Sequence, residues 1–102
     1  MSQYEIYITP ETFQTIKKLP GNIKQRIKRE IKGLGDAPRP SSSKVLDIPD
    51  IETEIRRLRL DNWRIIYAIA ETEKIIDILA VRKRPPYDYE DLEELLTDFE
   101  DD

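Results

Sequence analysis

The chain has 102 residues, a length that indicates one domain. It contains neither cysteine nor histidine, which excludes disulfides, thiolate metal sites and a histidine general base. No apolar run approaches the roughly 20 residues of a membrane-spanning helix, and the N-terminus lacks a signal pattern, so we expect a cytoplasmic protein without a membrane partner. Residues 87–102 hold nine of the 21 acids and no base, which leaves residues 1–86 with all 17 bases and a net charge of +5, against −4 for the whole chain. A basic body of this kind suits a polyanionic partner.

The N-terminal segment predicts a strand followed by a short helix. Residues 4–8 alternate apolar and polar side chains with a period of two, as a strand does. Thr9 and Pro10 are typical of a helix start, because threonine caps the first amides and proline fits the first helical position. The sequence at 19–22, Leu-Pro-Gly-Asn, is expected to end this helix.

A second helix follows. Its apolar stripe consists of Ile23, Ile27, Ile31 and Leu34. Its other face is basic and is interpreted as solvent-exposed: Lys24, Arg26, Lys28, Arg29 and Lys32. Gly33 and Gly35 are expected to end the helix. The two helices therefore form an αα-hairpin.

The rest of the chain predicts an antiparallel sheet and a final helix. A short strand at 45–48 precedes three longer strands at 54–60, 63–70 and 75–82, and their short connections predict antiparallel neighbours. Residues 88–99 carry an apolar stripe typical of an amphipathic helix: Leu92, Leu95, Leu96 and Phe99. The predicted fold class is α+β, with an N-terminal strand, an αα-hairpin, an antiparallel sheet of three to four strands with the helices on one face, and a C-terminal amphipathic helix.

The hairpin around Asp61-Asn62 locates a group of arginines. A two-residue turn there places Arg59 directly opposite Arg64, and Arg57 shares their face. The opposite face, expected to be the core under the helices, carries Leu58, Leu60, Trp63, Ile65, Tyr67 and Ile69. Like charges side by side repel, and an anionic partner removes that penalty, although the same residues also fit an ordinary solvent-exposed strand face.

The last strand ends in a basic run, followed by two tyrosines: Arg82, Lys83, Arg84, Tyr87 and Tyr89. The run returns beside Arg64, but the connection at 71–74 leaves its register open. One register puts Arg82 and Arg84 on the face of Arg64, and the other puts Lys83 there. Arginine binds phosphate bidentately and tyrosine stacks on unpaired bases, so the arrangement favours single-stranded RNA.

Two stretches carry a resemblance to a known family. Residues 57–67, Arg-Leu-Arg-Leu-Asp-Asn-Trp-Arg-Ile-Ile-Tyr, resemble the R-L-R-V-G-D-Y-R-V-I-Y pattern in the central hairpin of RelE/ParE-superfamily toxins. Residues 78–84, with the tyrosines that follow, resemble the last strand and basic exit of that family. The resemblance extends over residues 3–89.

The resemblance implies a RelE-like toxin that enters the ribosomal A site and cleaves the mRNA there without a metal or cofactor. In such toxins a 2′-hydroxyl attacks the adjacent phosphate and gives a cyclic phosphate. The residues matched to catalytic roles are Arg57, Arg64, Arg84, and Tyr87 or Tyr89. Substrate binding is expected of Arg59, Arg82, Lys83 and Lys44. The partners implied are a cognate antitoxin and the ribosome with its mRNA.

The chain also departs from the family pattern. Ile55 stands where some members have a second catalytic lysine, and the spacing after Arg84 does not distinguish Tyr87 from Tyr89. Arginine is a poor general base at neutral pH. Two alternatives therefore stay open: a ParE-like toxin that binds DNA gyrase, and a catalytically weak RNA- or protein-binding module of the same fold.

The acidic C-terminus is predicted to be part of the same domain, with a toxin domain over 1–89 and an acidic helical tail over 90–102. The helix at 88–99 begins beside the basic exit strand, so its acids are expected to cover the face of Arg64. Deletion of residues 90–102 is then expected to raise the affinity for RNA or the ribosome.

Overall fold

The computed structural model describes residues 3–83, so the helix predicted at 88–99 and the tail at 90–102 lie outside the described residues. The elements within them are β1 (Glu5–Ile8), α1 (Pro10–Lys17), α2 (Gly21–Leu34), β2 (Ser43–Leu46), β3 (Glu54–Leu60), β4 (Trp63–Ala70) and β5 (Ile75–Lys83). Across residues 3–83, no helix is long and apolar enough to cross a bilayer. The predicted α+β class is confirmed.

The strands form a five-stranded sheet in the order β1-β5-β4-β3-β2. The predicted antiparallel sheet is confirmed as β2 to β5, each antiparallel to the next. β1 adds a parallel edge strand beside β5, with Glu5 opposite Ile75 and Ile8 opposite Ile78. The short strand β2 begins two residues before its predicted start, because Ser43 already pairs with Leu58.

The helix ends follow local chemistry only in part. The Thr9 side chain accepts a hydrogen bond from the Thr12 amide and Pro10 occupies the first helical position, as predicted. α2 begins at Gly21 and continues through Gly33 to Leu34. The expectation that Gly33 ends the helix is therefore wrong. Its backbone stays right-handed, and a Cβ there would meet no atom within 4 Å.

The main core lies between the helices and one face of the sheet, which we call the helix face. Its buried helix side chains are Ile16, Leu19, Ile27, Ile31 and Leu34. They pack on the buried strand residues Leu58, Ile65, Tyr67, Ile69, Ile76, Ile78 and Val81, with Leu60 and Trp63 partly buried against them. The predicted core face of the hairpin is confirmed. Side-chain alternation in β3 and β4 is sufficient to produce it.

The opposite face of the sheet carries a second apolar cluster, which the sequence analysis did not predict. Its buried members are Ile48, Ile55, Ile66, Ala68, Leu79 and Ala80, with Leu46 and Ile51 packed against them. Ile48 and Ile51 belong to the segment between β2 and β3 and cover that end of the sheet. β4 is therefore buried on both faces, which explains its nearly continuous apolar sequence.

A β-bulge in β5 changes which residues point to each face. Tyr67 pairs with Ile78 and Ile66 pairs with Ala80, so Leu79 is the extra residue. Ile78 packs on the helix face, whereas Ala80 lies in the second cluster. Beyond the bulge, Arg82 pairs with Arg64. A regular ladder continued from Ile78 would instead place Arg82 opposite Trp63, on the helix face.

Candidate functional site

Three arginines form a row across the middle of the sheet. Arg64 of β4 lies opposite Arg59 of β3 on one side and opposite Arg82 of β5 on the other. Adjacent strands are about 4.8 Å apart, so the row spans roughly 10 Å. The predicted pairing of Arg59 with Arg64 is confirmed. The turn that fixes it includes Asp61 at a φ of 54°.

A second basic pair lies beside this row. Lys44 of β2 lies opposite Arg57 of β3, which in turn lies opposite Ile66. Direct partners across antiparallel strands share a face, so Lys44 lies on the same side as Arg57. Arg57 is two residues from Arg59 in β3 and therefore lies on the side of the three arginines. We call this surface the arginine face; it consists of Lys44, Arg57, Arg59, Arg64 and Arg82.

The arginine face combines exposed and buried cations. Arg64 is only 5% exposed, whereas Arg59 and Lys44 are exposed and Arg57 and Arg82 are intermediate. Within residues 3–83, Lys44, Arg57 and Arg59 form no salt bridge. An anion bound here would therefore meet several positive charges that the described acids do not neutralise.

Among the described residues, Arg57 has an unsatisfied hydrogen-bond donor. Its Nε is buried, and no group within residues 3–83 accepts a hydrogen bond from it. A buried donor without a partner costs about 1–3 kcal/mol. A phosphate oxygen at this position would supply the missing acceptor, and a guanidinium can hold two phosphate oxygens at once.

The remaining predicted site residues are placed differently. Lys83 pairs with Trp63 and so lies on the side of the sheet opposite Arg64. The register that would put it on the arginine face is therefore wrong. Arg84, Tyr87 and Tyr89 lie outside the described residues. Ile55 is 1% exposed in the second cluster, so this position is part of the packing.

An ionic network on the helix face was not predicted from the sequence. Arg39 donates to both Glu54 and Glu71, at 2.9–3.1 Å. Arg56 also pairs with Glu54, at 3.0 Å. Its Nε donates to Ser43, so Arg56 belongs to this network and not to the arginine face. No sequence pattern links these residues, because the loop that carries Arg39 is positioned only by the folded sheet.

Glu71 is the most perturbed carboxylate of this network. Hydrogen bonds from Lys74, Tyr4 and Arg39, in decreasing order of effect, lower its pKa from 4.5 to about 2. The Tyr4 hydroxyl donates to both carboxylate oxygens, at 2.8 and 2.9 Å. Each donor favours the charged form. The network thereby fastens the 38–42 loop and the start of β1 to the end of β4.

The fold is similar to that of several toxins of known structure. The archaeal RelE of a RelE-RelB complex from Pyrococcus horikoshii matches with a TM-score of 0.74 and 23% identity, over 83% of this chain and 99% of that one. RelBE2 from Mycobacterium tuberculosis matches with a TM-score of 0.67 and 24% identity, over 82% and 94%. Isolated E. coli RelE matches with 0.67 and 16%, over 94% and 98%. At these identities the likeness is one of fold.

The sequence itself matches one family model. No curated protein sequence matches the chain. Residues 6–85 match the model of the ParE toxin of the type II toxin-antitoxin system parDE. That span includes both helices, all but the first residue of the sheet, and the whole arginine face. The chain therefore belongs to the RelE/ParE toxin superfamily and is a toxin of a type II toxin–antitoxin system.

Proposed function

We propose that this toxin is a metal-independent endoribonuclease that cleaves mRNA in the ribosomal A site. The observation that carries the proposal is the row of Arg59, Arg64 and Arg82, with Lys44 and Arg57 beside it. Clustered like charges on one sheet face destabilise the fold unless an anion binds there. A single-stranded RNA backbone is such an anion, and a flat sheet is a common platform for it.

The arginine face supports phosphate binding and charge stabilisation. In the proposed reaction the 2′-oxygen attacks the adjacent phosphorus, the bond from phosphorus to the 5′-oxygen breaks, and a 2′,3′-cyclic phosphate forms. Arg64 and its neighbours stabilise the negative charge on the non-bridging oxygens, which is greatest in the transition state. The proton leaves the 2′-hydroxyl and another is delivered to the 5′-oxygen. We assign these transfers to a basic group or a tyrosine, as the family resemblance implies, and the candidate tyrosines are Tyr87 and Tyr89.

The proposed partners are a cognate antitoxin and the ribosome. The relative from Pyrococcus horikoshii was crystallised as a RelE-RelB complex, and that from Mycobacterium tuberculosis as a toxin-antitoxin complex. By analogy we propose that an antitoxin binds this chain and neutralises it. The toxin would act in the cytoplasm, where ribosomes carry mRNA.

Inhibition of DNA gyrase is the second candidate function. The observation that favours it is the family model, which describes a ParE toxin. Gyrase inhibition needs a protein-binding surface and no cleavage chemistry. It gives no role to a row of adjacent arginines, which is why we place it second.

Primer extension on mRNA in a translation extract tests the first proposal. We expect cuts within A-site codons that depend on translation. Arg57→Gln and Arg59→Ala are expected to weaken them at least tenfold. Arg29→Ala, which removes an exposed arginine of α2, is the control and is expected to cut like the natural chain.

Three other results would contradict the proposal. Inhibited gyrase supercoiling without any mRNA cuts would establish the second candidate. Cuts that survive both arginine-face variants at natural rates would show that this surface is not the site. Binding of RNA by the natural chain without cuts, and without gyrase inhibition, would identify a non-enzymatic binding module.

A further inference from the structure

An apolar groove lies between the edge of the sheet and the two helices, on the side away from the arginine face. It has a volume of about 370 Å³ and is bounded by β1, α1 and α2. Its apolar residues are Ile6, Ile8, Phe13, Ile16 and Ile31. The Phe13 side chain is 50% exposed. The volume falls within the range of small-ligand sites, roughly 300–1,000 Å³, and gives room for a planar ring beside Phe13.

Lysines border the groove. One comes from α1 and three from successive turns of α2: Lys17, Lys24, Lys28 and Lys32. Within residues 3–83 none of them forms a salt bridge, and no acid lines the groove. The three lysines of α2 are four residues apart, which corresponds to about 6 Å along the helix. Successive phosphates of an RNA strand have a similar separation, so the row can hold a phosphate backbone along the border of the groove.

The Phe13 ring offers a stacking surface beside this row. The Nζ of Lys17 lies 5.8 Å from the centre of the ring, so a positive charge lies close to the aromatic surface. Proteins that bind single-stranded RNA combine these two features, since aromatic rings stack on unpaired bases while basic side chains follow the backbone. The groove therefore has the chemistry of a nucleotide site.

The main chain of β1 adds polar groups at the groove. β1 is an edge strand of the sheet, and the amides of Glu5 and Thr9 donate to carbonyls in and next to β5. In a parallel pair alternate residues bond to the neighbouring strand, so the N–H and C=O groups of Ile6 and Ile8 point to the open edge. The polar edge of a base can bond to such groups. An acidic amphipathic helix would also match the lysines, but it satisfies its own backbone and does not need them.

We propose that the groove is a second RNA-binding site, in which one unpaired base stacks on Phe13 and the neighbouring phosphates bind the lysines of α2. The groove and the arginine face lie on opposite sides of the sheet, so one molecule can hold two stretches of single-stranded RNA. The lysines of α2 are then more than a solvent-exposed helix face. The site does not depend on cleavage at the arginine face.

Amide NMR spectra of the full chain, titrated with a short 2′-O-methyladenosine oligonucleotide, test the proposal. The methyl groups block attack by the 2′-oxygen, so the probe stays intact. The titration uses the variant Arg57→Gln with Arg59→Ala, which weakens the arginine face. We expect shifts at β1, at Phe13 and along residues 24–32. Shifts confined to the arginine face, or no shifts, would overturn the proposal.

Phe13→Leu, added to that variant, separates stacking from apolar packing. Leucine keeps an apolar side chain at the groove but offers no aromatic ring. We expect the RNA affinity to fall about fivefold or more, as for the loss of a base–aromatic contact, while its salt dependence stays the same. An unchanged affinity would show that no base stacks on Phe13 and would overturn the proposal.

Lys24→Gln with Lys28→Gln removes two phosphate contacts. Each contact to a single strand contributes about 0.7 to the slope of log affinity against log salt concentration, so we expect the slope to decrease by about 1.4. Lys18→Gln with Arg29→Gln makes the same change in net charge at exposed residues that do not line the groove, and it is expected to keep the slope. Equal decreases for the two pairs would show that net charge acts without a defined site.

An acidic peptide tests the competing occupant. A helical peptide of leucine and glutamate, titrated at the same salt concentration, is expected to bind more weakly than the oligonucleotide. Shifts at the groove with the peptide and none with the oligonucleotide would identify a protein-binding surface and overturn the proposal. Amide spectra without ligand establish that each variant is folded.

Discussion

The hydroxyl of Thr12 donates a hydrogen bond of 2.8 Å to the main-chain carbonyl of Leu79. Thr12 lies in the first turn of α1 and is 3% exposed, while Leu79 is the extra residue of the β5 bulge. The Thr9 amide also donates to the carbonyl of Ile78, at 3.3 Å. The start of α1 thus holds the bulge that turns Arg82 toward Arg64.

Thr12→Val tests this connection. Valine keeps the shape but cannot donate, so the buried carbonyl of Leu79 loses its partner. We expect a loss of about 1–3 kcal/mol in the free energy of unfolding and faster amide exchange around residues 78–82. Thr15→Val is the control, because the Thr15 hydroxyl is exposed and bonds only within α1. Similar losses in both variants would show that the bulge gains nothing specific from Thr12.

Arg59→Gln separates binding from stability. Arg59 is exposed and lies opposite Arg64, so removing its charge relieves repulsion. We expect the free energy of unfolding to rise by about 0.2–1 kcal/mol at low salt, and the gain to shrink as salt screens the charges. RNA affinity is expected to fall in the same variant. Urea unfolding and RNA titration at two salt concentrations measure both quantities.

Arg29→Gln is the control for that prediction, since Arg29 is an exposed residue of α2 outside the arginine face. Its free energy of unfolding and its RNA affinity are both expected to stay close to those of the natural chain. If Arg59→Gln destabilised the protein and left RNA binding intact, the arginine row would be structural.

Glu71→Gln is expected to change the acid sensitivity of the fold. The folded-state pKa of Glu71 is lowered from 4.5 to about 2, so the folded state favours its charged form. This contribution to stability is complete above pH 4.5 and is lost as the pH falls toward 2. Between pH 6 and pH 2, the free energy of unfolding should therefore fall less steeply with decreasing pH for Glu71→Gln than for the natural chain. Glu73→Gln, in the same turn, is expected to keep the natural slope.

Ile55→Ala tests the second apolar cluster. Ile55 is 1% exposed, so its truncation leaves a cavity and is expected to cost about 2–5 kcal/mol. Val45→Ala, at a side chain that is 59% exposed, is expected to change stability by less than about 0.5 kcal/mol. Thermal or urea unfolding measures both. Equal small effects would mean that the cluster contributes little to stability.

The elements and half of the candidate site follow from local sequence. Thr9 and Pro10 start α1 as predicted, and the turn at Asp61-Asn62 sets Arg59 opposite Arg64. These features depend on contacts between residues close in the chain. The second cluster was not predicted, because residues 47–53 show no pattern that assigns Ile48 and Ile51 to cover the face opposite the helices.

By itself, then, the sequence determined the order of the elements, the helix face of the hairpin and the pairing of two arginines, because a period of two and a short turn leave little choice. The tertiary structure decided the position of the third arginine. The turn at 71–74 starts β5 in a register that directs Arg82 to the helix face, and the bulge at Leu79 reverses it. That bulge is held by Thr12, 67 residues away in the chain, and no local pattern contains such a contact.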